Sequence, residues 1–182
     1  MIICNGAPKT GTHLLLKAVY LFGGECKLAL HSHNPYPHIY GPEDKHLHIT
    51  RSPRNVVASW LRFTKIPFTE ENYCNTIQYI VDEMSGYISW INDPNTFHIK
   101  YEELLTDDKH IKKLAKFIDK ELKIKHFKSI WGGTPTFTGG LSIWRDFWTP
   151  AMAEKWIDCG GLELETALGY DPNQIWIRKK TS

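Results

Sequence analysis

Short apolar runs alternate along this chain with longer stretches whose apolar residues recur at helical spacing. Residues 1 to 5, around "MIIC", read as a strand, and residues from about 11 to 23 read as a helix that ends at Gly23-Gly24. "CKLAL" offers a second strand, and "HSHNPYPHIYGPEDK" is a loop rich in Pro, His and Asn. "HLHIT" alternates and reads as a strand, followed by "SPRNVVASWLRF", a helix with Ser52 as N-cap and Pro53 in its first turn. "TEENYCNTIQYIVDEMSGYISWI" is one long helical pattern, and "TFHIKY" is a further strand. "DDKHIKKLAKFIDKEL" predicts an amphipathic helix with Ile111, Leu114, Ala115, Phe117, Ile118 and Leu122 turned inward. Residues from Phe127 to Thr149 are rich in Gly, Thr and aromatics and are expected to loop over a site, and residues 150 to 170 supply one or two closing helices. Strands alternating with helices predict an α/β fold with a parallel sheet covered by helices. Ligands of such sheets bind at the carboxyl ends of the strands, where "GAPKTGT" and "TRSPR" both lie.

The length of 182 residues fits a single domain spanning 1–182. A formal charge of +2 is too small to argue for a nucleic-acid partner. No apolar run approaches a membrane span, and the start lacks the basic end and cleavage site of a signal peptide, so a soluble cytoplasmic protein is expected. Cys4, Cys26, Cys74 and Cys159 show no paired metal spacing and read as single thiols in a reducing compartment.

The chemistry concentrates in "GAPKTGTHLL", residues 6 to 15. Consecutive loop amides leading into a helix N-terminus form an anion cradle. Gly6 and Gly11 let the backbone turn and approach a ligand, and Lys9 adds a full charge. The nucleotide-triphosphate loop places its lysine next to a Ser or Thr that binds magnesium. Here Lys9 precedes the second glycine by two, and "HLHIT" runs into Arg51 rather than an acid. The site therefore offers cations and amides without evident magnesium ligands. That suits a transferred group less charged than phosphoryl, such as sulfuryl.

Four segments carry a family resemblance. "APKTGTHLL" resembles the 5'-phosphosulfate loop of the sulfotransferases that use 3'-phosphoadenosine 5'-phosphosulfate (PAPS), and "ITRSPRNVVASW" resembles their 3'-phosphate motif through Arg51 and Ser59. "FHIKYEELLTDDKHIKKLAKFI" is similar to their later strand-helix segment, and "GGLSIWRDFWTPAMAEKW" to their terminal element. The four occur in family order. The resemblance implies a three-layer, nucleotide-kinase-like sulfotransferase fold and PAPS as donor, with a hydroxyl or amine of a small molecule or carbohydrate as acceptor and no metal cofactor. It implies that Lys9 contacts the phosphosulfate and that the amides of Thr10, Gly11 and Thr12 hold the 5'-phosphate. Pro8 and His13 flank them in the same motif, and Tyr101, Trp144 and Arg145 fall near the nucleotide.

Cytosolic members carry a catalytic histidine in a segment that here reads "HSHNP". Aligned on its proline, His33 takes the catalytic position, while His31 stands where the family has a lysine. Imidazole titrates near neutral pH and suits the task of taking the acceptor's proton. Glu43 and Asp44, later in the loop, are the carboxylate alternatives. His46 and His48 share a strand face, yet no structural-zinc spacing is present. The stretch "FTGGLSIW" lacks the cation that the family places before its tryptophan, and Arg145 is the candidate to replace it. The chain is short for the family, which predicts an open acceptor site or one completed by a partner, such as a second copy in a homodimer. Two other readings stand beside this one: a non-catalytic binder of 3'-phosphoadenosine 5'-phosphate (PAP), and a small nucleotide or sugar kinase.

Overall fold

The computed structural model describes residues 1–28, 43–106, 108–121 and 143–170. The chain packs as two compact units where one domain is expected: Met1–Arg51 with Ser89–Gly139, and Ser52–Ile88 with Gly140–Ser182.

The first unit holds strands β1 (Ile2–Asn5), β2 (Cys26–Leu28), β3 (Lys45–Thr50) and β4 (Thr96–Lys100) in the order β2-β1-β3-β4, all parallel. Every residue of β1 is buried. A continuous apolar run, rather than alternation, is what a strand covered on both faces requires. Helix α1 (Thr12–Leu21) crosses from β1 to β2. The chain then returns to place β3 on the other side of β1, so the order reverses between β1 and β3. Ligands in open parallel sheets bind outside the carboxyl ends of the strands at this reversal.

One sheet face presents Cys4, Leu47, Ile49 and Ile99 to a core built with Leu15 and Val19 of α1. Leu104 from α5 (Tyr101–Thr106) and Ile111, Leu114, Ala115 with the following Ile118 from α6 (Asp108–Phe117) complete it. The inward set expected for the α6 pattern is buried, apart from half-buried Phe117. Leu122 lies outside the described residues.

The opposite face carries His46 and His48 of β3 and His98 of β4, with His48 and His98 in register. Trp90, on α4 (Ile88–Ile91), covers them: its ring lies 5.5 Å from His46 and 6.0 Å from His48, and His48 lies 5.7 Å from His98. Among the described residues no group of three or more His, Cys, Asp or Glu is arranged to hold a metal. Burial, then His98, pushes the His48 pKa down to about 3, and burial also lowers His46 and His98. A histidine held neutral when folded but titrating near 6.5 when unfolded binds fewer protons in the native state. Its stability contribution is present above pH 6.5 and is lost as pH falls toward 3. For His48 the loss is on the order of 4 kcal/mol. Urea unfolding at pH 7 and pH 4 is expected to show this fall, and His48→Phe is expected to flatten it. An equally steep fall in His48→Phe would assign the acid sensitivity to other groups.

The second unit is helical: α2 (Pro53–Thr64), α3 (Glu70–Ser85), a 3-10 turn (Ile143–Asp146), α7 (Pro150–Asp158) and α8 (Gly161–Ala167). Ser52 occupies the N-cap of α2, with its carbonyl accepting from Val56 N–H (3.1 Å), but its hydroxyl makes no capping bond. The long helical pattern through residue 91 breaks at Gly86, a weak helix former, where Tyr87 N–H turns back to the Met84 carbonyl (3.0 Å). Two closing helices are present, the first capped by the Thr149 hydroxyl. Among the described residues no helix is long and apolar enough to cross a membrane.

Candidate active site

The loop after β1 is shaped from within. Thr10 is buried, and both its hydroxyl (2.7 Å) and its N–H (3.2 Å) donate to the Ala7 carbonyl. The Thr10 amide, expected to face a phosphate, is thus used to close the turn. Two glycines are required by contact. A Cβ on Gly6 would stand 2.6 Å from the Ile49 carbonyl oxygen and 2.7 Å from Thr10 Oγ1. One on Gly11 would stand 2.6 Å from Tyr101 Cδ2, at a φ of 107° that side chains rarely adopt. Gly11 is the N-cap of α1, and its carbonyl accepts from Leu14 N–H (2.9 Å) and Leu15 N–H (3.0 Å). The first N–H groups of a helix, here those of Thr12 and His13, have no intrahelical acceptor. Together with the Gly11 N–H and the positive end of α1, they make the anion cradle.

Lys9 is half-buried with φ 69°, a left-handed conformation that costs a non-glycine residue about 1 kcal/mol or more. In that conformation its carbonyl accepts from Arg51 Nη1 (3.3 Å). Arg51 follows β3 directly, is buried, and lies with its guanidinium carbon 4.3 Å from the centre of the Tyr101 ring. Tyr101 begins α5 at the carboxyl end of β4 and packs on Gly11. Three strand ends therefore converge: the β1 loop, Arg51 after β3, and Tyr101 after β4. Burial and then the charge of Arg51 lower the pKa of Lys9. Burial raises Tyr101, against the opposing pull of Arg51. Two cations held this close, one nearly out of water, favour a bound anion that neutralises both.

Among the expected site residues, Pro8, Lys9, Thr10, Gly11, Thr12, Arg51 and Tyr101 come together here, with His13 exposed on the first turn of α1. His33 lies outside the described residues. Of its carboxylate alternatives, Asp44 precedes β3 and pairs with the Met1 amino group (2.6 Å). The six residues of β3 then separate it from Arg51, roughly 20 Å of strand. Glu43 stands beside it at the same end.

Ser59, Trp144 and Arg145 belong to the second unit. Ser59 is half-buried on α2 and Arg145 is exposed. Trp144 is buried, with the Arg54 guanidinium carbon 3.8 Å from its ring centre. Arg54 in turn makes a buried ion pair with Glu165 of α8 (2.6 Å), whose other carboxylate oxygen accepts from Trp156 Nε1 (3.3 Å). Tyr73 Oη donates to the Arg54 carbonyl (2.9 Å). This group is absent from the sequence reading, yet a signal exists. Arg54 falls at helical spacing with Val57, Ala58 and Leu61, and Glu165 with Gly161 and Leu168, so both charges sit on inward faces.

No curated protein sequence matches this chain significantly. Solved structures share its fold. The mouse sulfotransferase SULT7A1, solved complexed with PAP, aligns with 87% of this chain and 82% of its own, at 15% identity and a TM-score of 0.66. A retinol dehydratase, solved with androsterone and the inactive cofactor PAP, aligns over 87% and 80%, at 14% identity and a TM-score of 0.60. The profile of the sulfotransferase domain matches residues 25–134, more than half of the sequence. That match begins after the β1 loop, so loop and profile are separate lines of support, and the chain belongs to the sulfotransferase domain family.

Proposed function

We propose that this chain transfers the sulfuryl group of PAPS to a hydroxyl or amine of an acceptor. One observation supports the reading beyond family membership. At the reversal of the sheet, the Arg51 guanidinium is held by the Lys9 carbonyl and stacked on Tyr101, beside the amides that begin α1. Arginine's planar fork gives paired bonds to phosphate oxygens, and lysine supplies a point charge where a bridging oxygen departs. The donor-site residues in this reading are Pro8 through His13, with Thr10 shaping the loop through its bonds to Ala7, and Arg51 and Tyr101. Ser59, Trp144 and Arg145 are carried over from the motif resemblance, and the single domain over 1–182 belongs to the same proposal.

In the reaction, the acceptor oxygen or nitrogen attacks sulfur in line while the bond from sulfur to the 5'-phosphate oxygen breaks. Negative charge gathers on the departing phosphate of PAP, where Lys9 and the loop amides stabilise it. His33 takes the acceptor's proton. The acceptor is a small molecule or a carbohydrate. A cytoplasmic location, metal-independent turnover and a homodimer complete the proposal.

Calorimetry with two nucleotides tests the donor assignment. The protein is expected to bind PAP at least about tenfold more tightly than 5'-AMP, a margin of roughly 1.4 kcal/mol. Arg51→Ala is expected to erase most of that margin and to leave 5'-AMP binding nearly unchanged. Arg51→Lys, which keeps the charge but not the fork, is expected to restore only part of it. Equal affinity of the wild type for both nucleotides would remove the donor assignment.

A further inference from the structure

Two cysteines meet in space although the whole of α1 lies between them in the chain. Strands β1 and β2 run parallel with Ile2 opposite Cys26. Cys4, two residues after Ile2, therefore projects from the same face of the sheet as Cys26. That face packs under α1: Cys4 is fully buried in its core, and partly exposed Cys26 packs against the same cluster. The two thiols are in hydrogen-bond contact, Cys4 donating to the Cys26 sulfur. That bond and then burial raise the Cys4 pKa and keep its thiol protonated. The same bond lowers Cys26, against the opposing effect of burial. Cys74 is the natural comparison within the same chain. It too is partly exposed, yet burial and then the Glu70 carboxylate raise its thiol.

We propose that Cys26 and Cys4 form a dithiol that hydroperoxides oxidise, with Cys26 the attacking sulfur and Cys4 the resolving one, separate from the transfer site. Sulfurs that react in this way are solvent-accessible, rich in thiolate and placed next to a second thiol. Cys26 has all three properties. Its thiolate attacks one oxygen of the peroxide, the O–O bond breaks, and the departing hydroxide takes a proton and leaves as water. Cys26 is thereby oxidised to a sulfenic acid and the peroxide is reduced. The Cys4 sulfur then attacks the Cys26 sulfur: an S–S bond forms, the S–O bond breaks, and the hydroxyl leaves with the Cys4 proton as a second water. Two thiols and one hydrogen peroxide thus give one disulfide and two waters. Diagonal residues of flat neighbouring strands stand about 8 Å apart, and a disulfide needs their backbones about 1 Å or more closer. Strand β1 is held between β2 and β3, whereas β2 is a three-residue strand at the end of the described sheet, so β2 is the strand that shifts.

Mass spectrometry on the full chain tests this without any nucleotide. In the reduced protein at pH 7, iodoacetamide is expected to modify Cys26 at least about tenfold faster than Cys74. Hydrogen peroxide is then expected to join the peptides that carry Cys4 and Cys26, two hydrogens lighter than their sum, and dithiothreitol to separate them. Cys4→Ala is expected to slow the alkylation of Cys26 at least about threefold and to leave its sulfenic acid open to trapping by dimedone. Cys4→Ser keeps a hydrogen-bond donor, so it is expected to restore the alkylation rate but not the cross-link. Urea midpoints near the wild-type value report that each variant is folded. The comparison of Cys26 with Cys74 needs no variant, so it stands even if a change at Cys4 disturbs the core. Cys26 reacting no faster than Cys74 in the folded wild type overturns the proposal. Peroxide that yields no joined Cys4–Cys26 peptide, or that links Cys26 of one copy to Cys26 of another, overturns the resolving role of Cys4.

Discussion

Lys9→Ala is expected to raise the barrier to sulfuryl transfer by about 2 to 4 kcal/mol, a rate loss of roughly thirtyfold to a thousandfold. The estimate follows losses of single donors that face a developing oxyanion. Lys9 has three features that make its charge count. It is partly withdrawn from water, its pKa is lowered by that burial and then by Arg51, and its backbone is held left-handed by the turn and by Arg51. A lowered lysine pKa means that the free protein loses this charge earlier as pH rises. A bound phosphate favours the charged form again. PAP binding at alkaline pH should therefore take up a fraction of a proton, visible as a buffer-dependent heat in calorimetry, and Lys9→Ala should abolish that uptake. Turnover of Lys9→Ala at the wild-type rate would remove the loop from the mechanism. His33→Ala separates the base from the cradle: it is expected to keep PAP affinity and lose about a hundredfold or more in transfer. Loss of PAP binding in that variant would make His33 a donor ligand instead.

Much of this arrangement is legible without coordinates because it is local. The β1 run, the glycine-bounded loop and the helix after it lie within about twenty consecutive residues, and Ser52-Pro53 marks the start of α2 from sequence alone. The order of the strands and the convergence of Lys9, Arg51 and Tyr101 are less local. They follow from parallel topology only once β1 is known to lie between β2 and β3. What escapes the sequence is specific contact. Nothing in "GAPKTGT" says that Thr10 spends both its donors on Ala7, or that Gly11 is needed because Tyr101 packs on it from ninety residues away. The histidines show the reverse case. His46 and His48 alternate as a metal pair might, but their common neighbour is Trp90. Periodicity assigns them to a face and is silent on what covers it.

Glu165→Leu is expected to cost about 3 to 5 kcal/mol of folding stability, because it leaves the Arg54 charge buried without its counter-ion. Arg54 and Glu165 are 2% and 1% exposed, so water cannot take over the role of either partner. Removing the cation instead, in Arg54→Met, is expected to cost a similar amount for the mirror-image reason, since the buried Glu165 carboxylate would lose its counter-ion. The double variant decides what the pair is for. Two buried charges forfeit hydration that their attraction returns only in part, so Met with Leu is expected to be less destabilised than either single change. Methionine also suits the space beside Trp144 and Trp148, where the Arg54 guanidinium carbon now lies 3.8 Å and 5.5 Å from the ring centres, because its sulfur packs well against aromatic rings. The measurement is a double-mutant cycle from urea midpoints at pH 7. A coupling of more than about 2 kcal/mol, with the double variant near wild type, identifies the pair as a device that specifies how α8 joins α2 rather than a source of net stability. Additive losses would mean that each side chain acts through its own contacts, Arg54 through its stacking on Trp144 and Glu165 through Trp156, and that the ion pair itself contributes little.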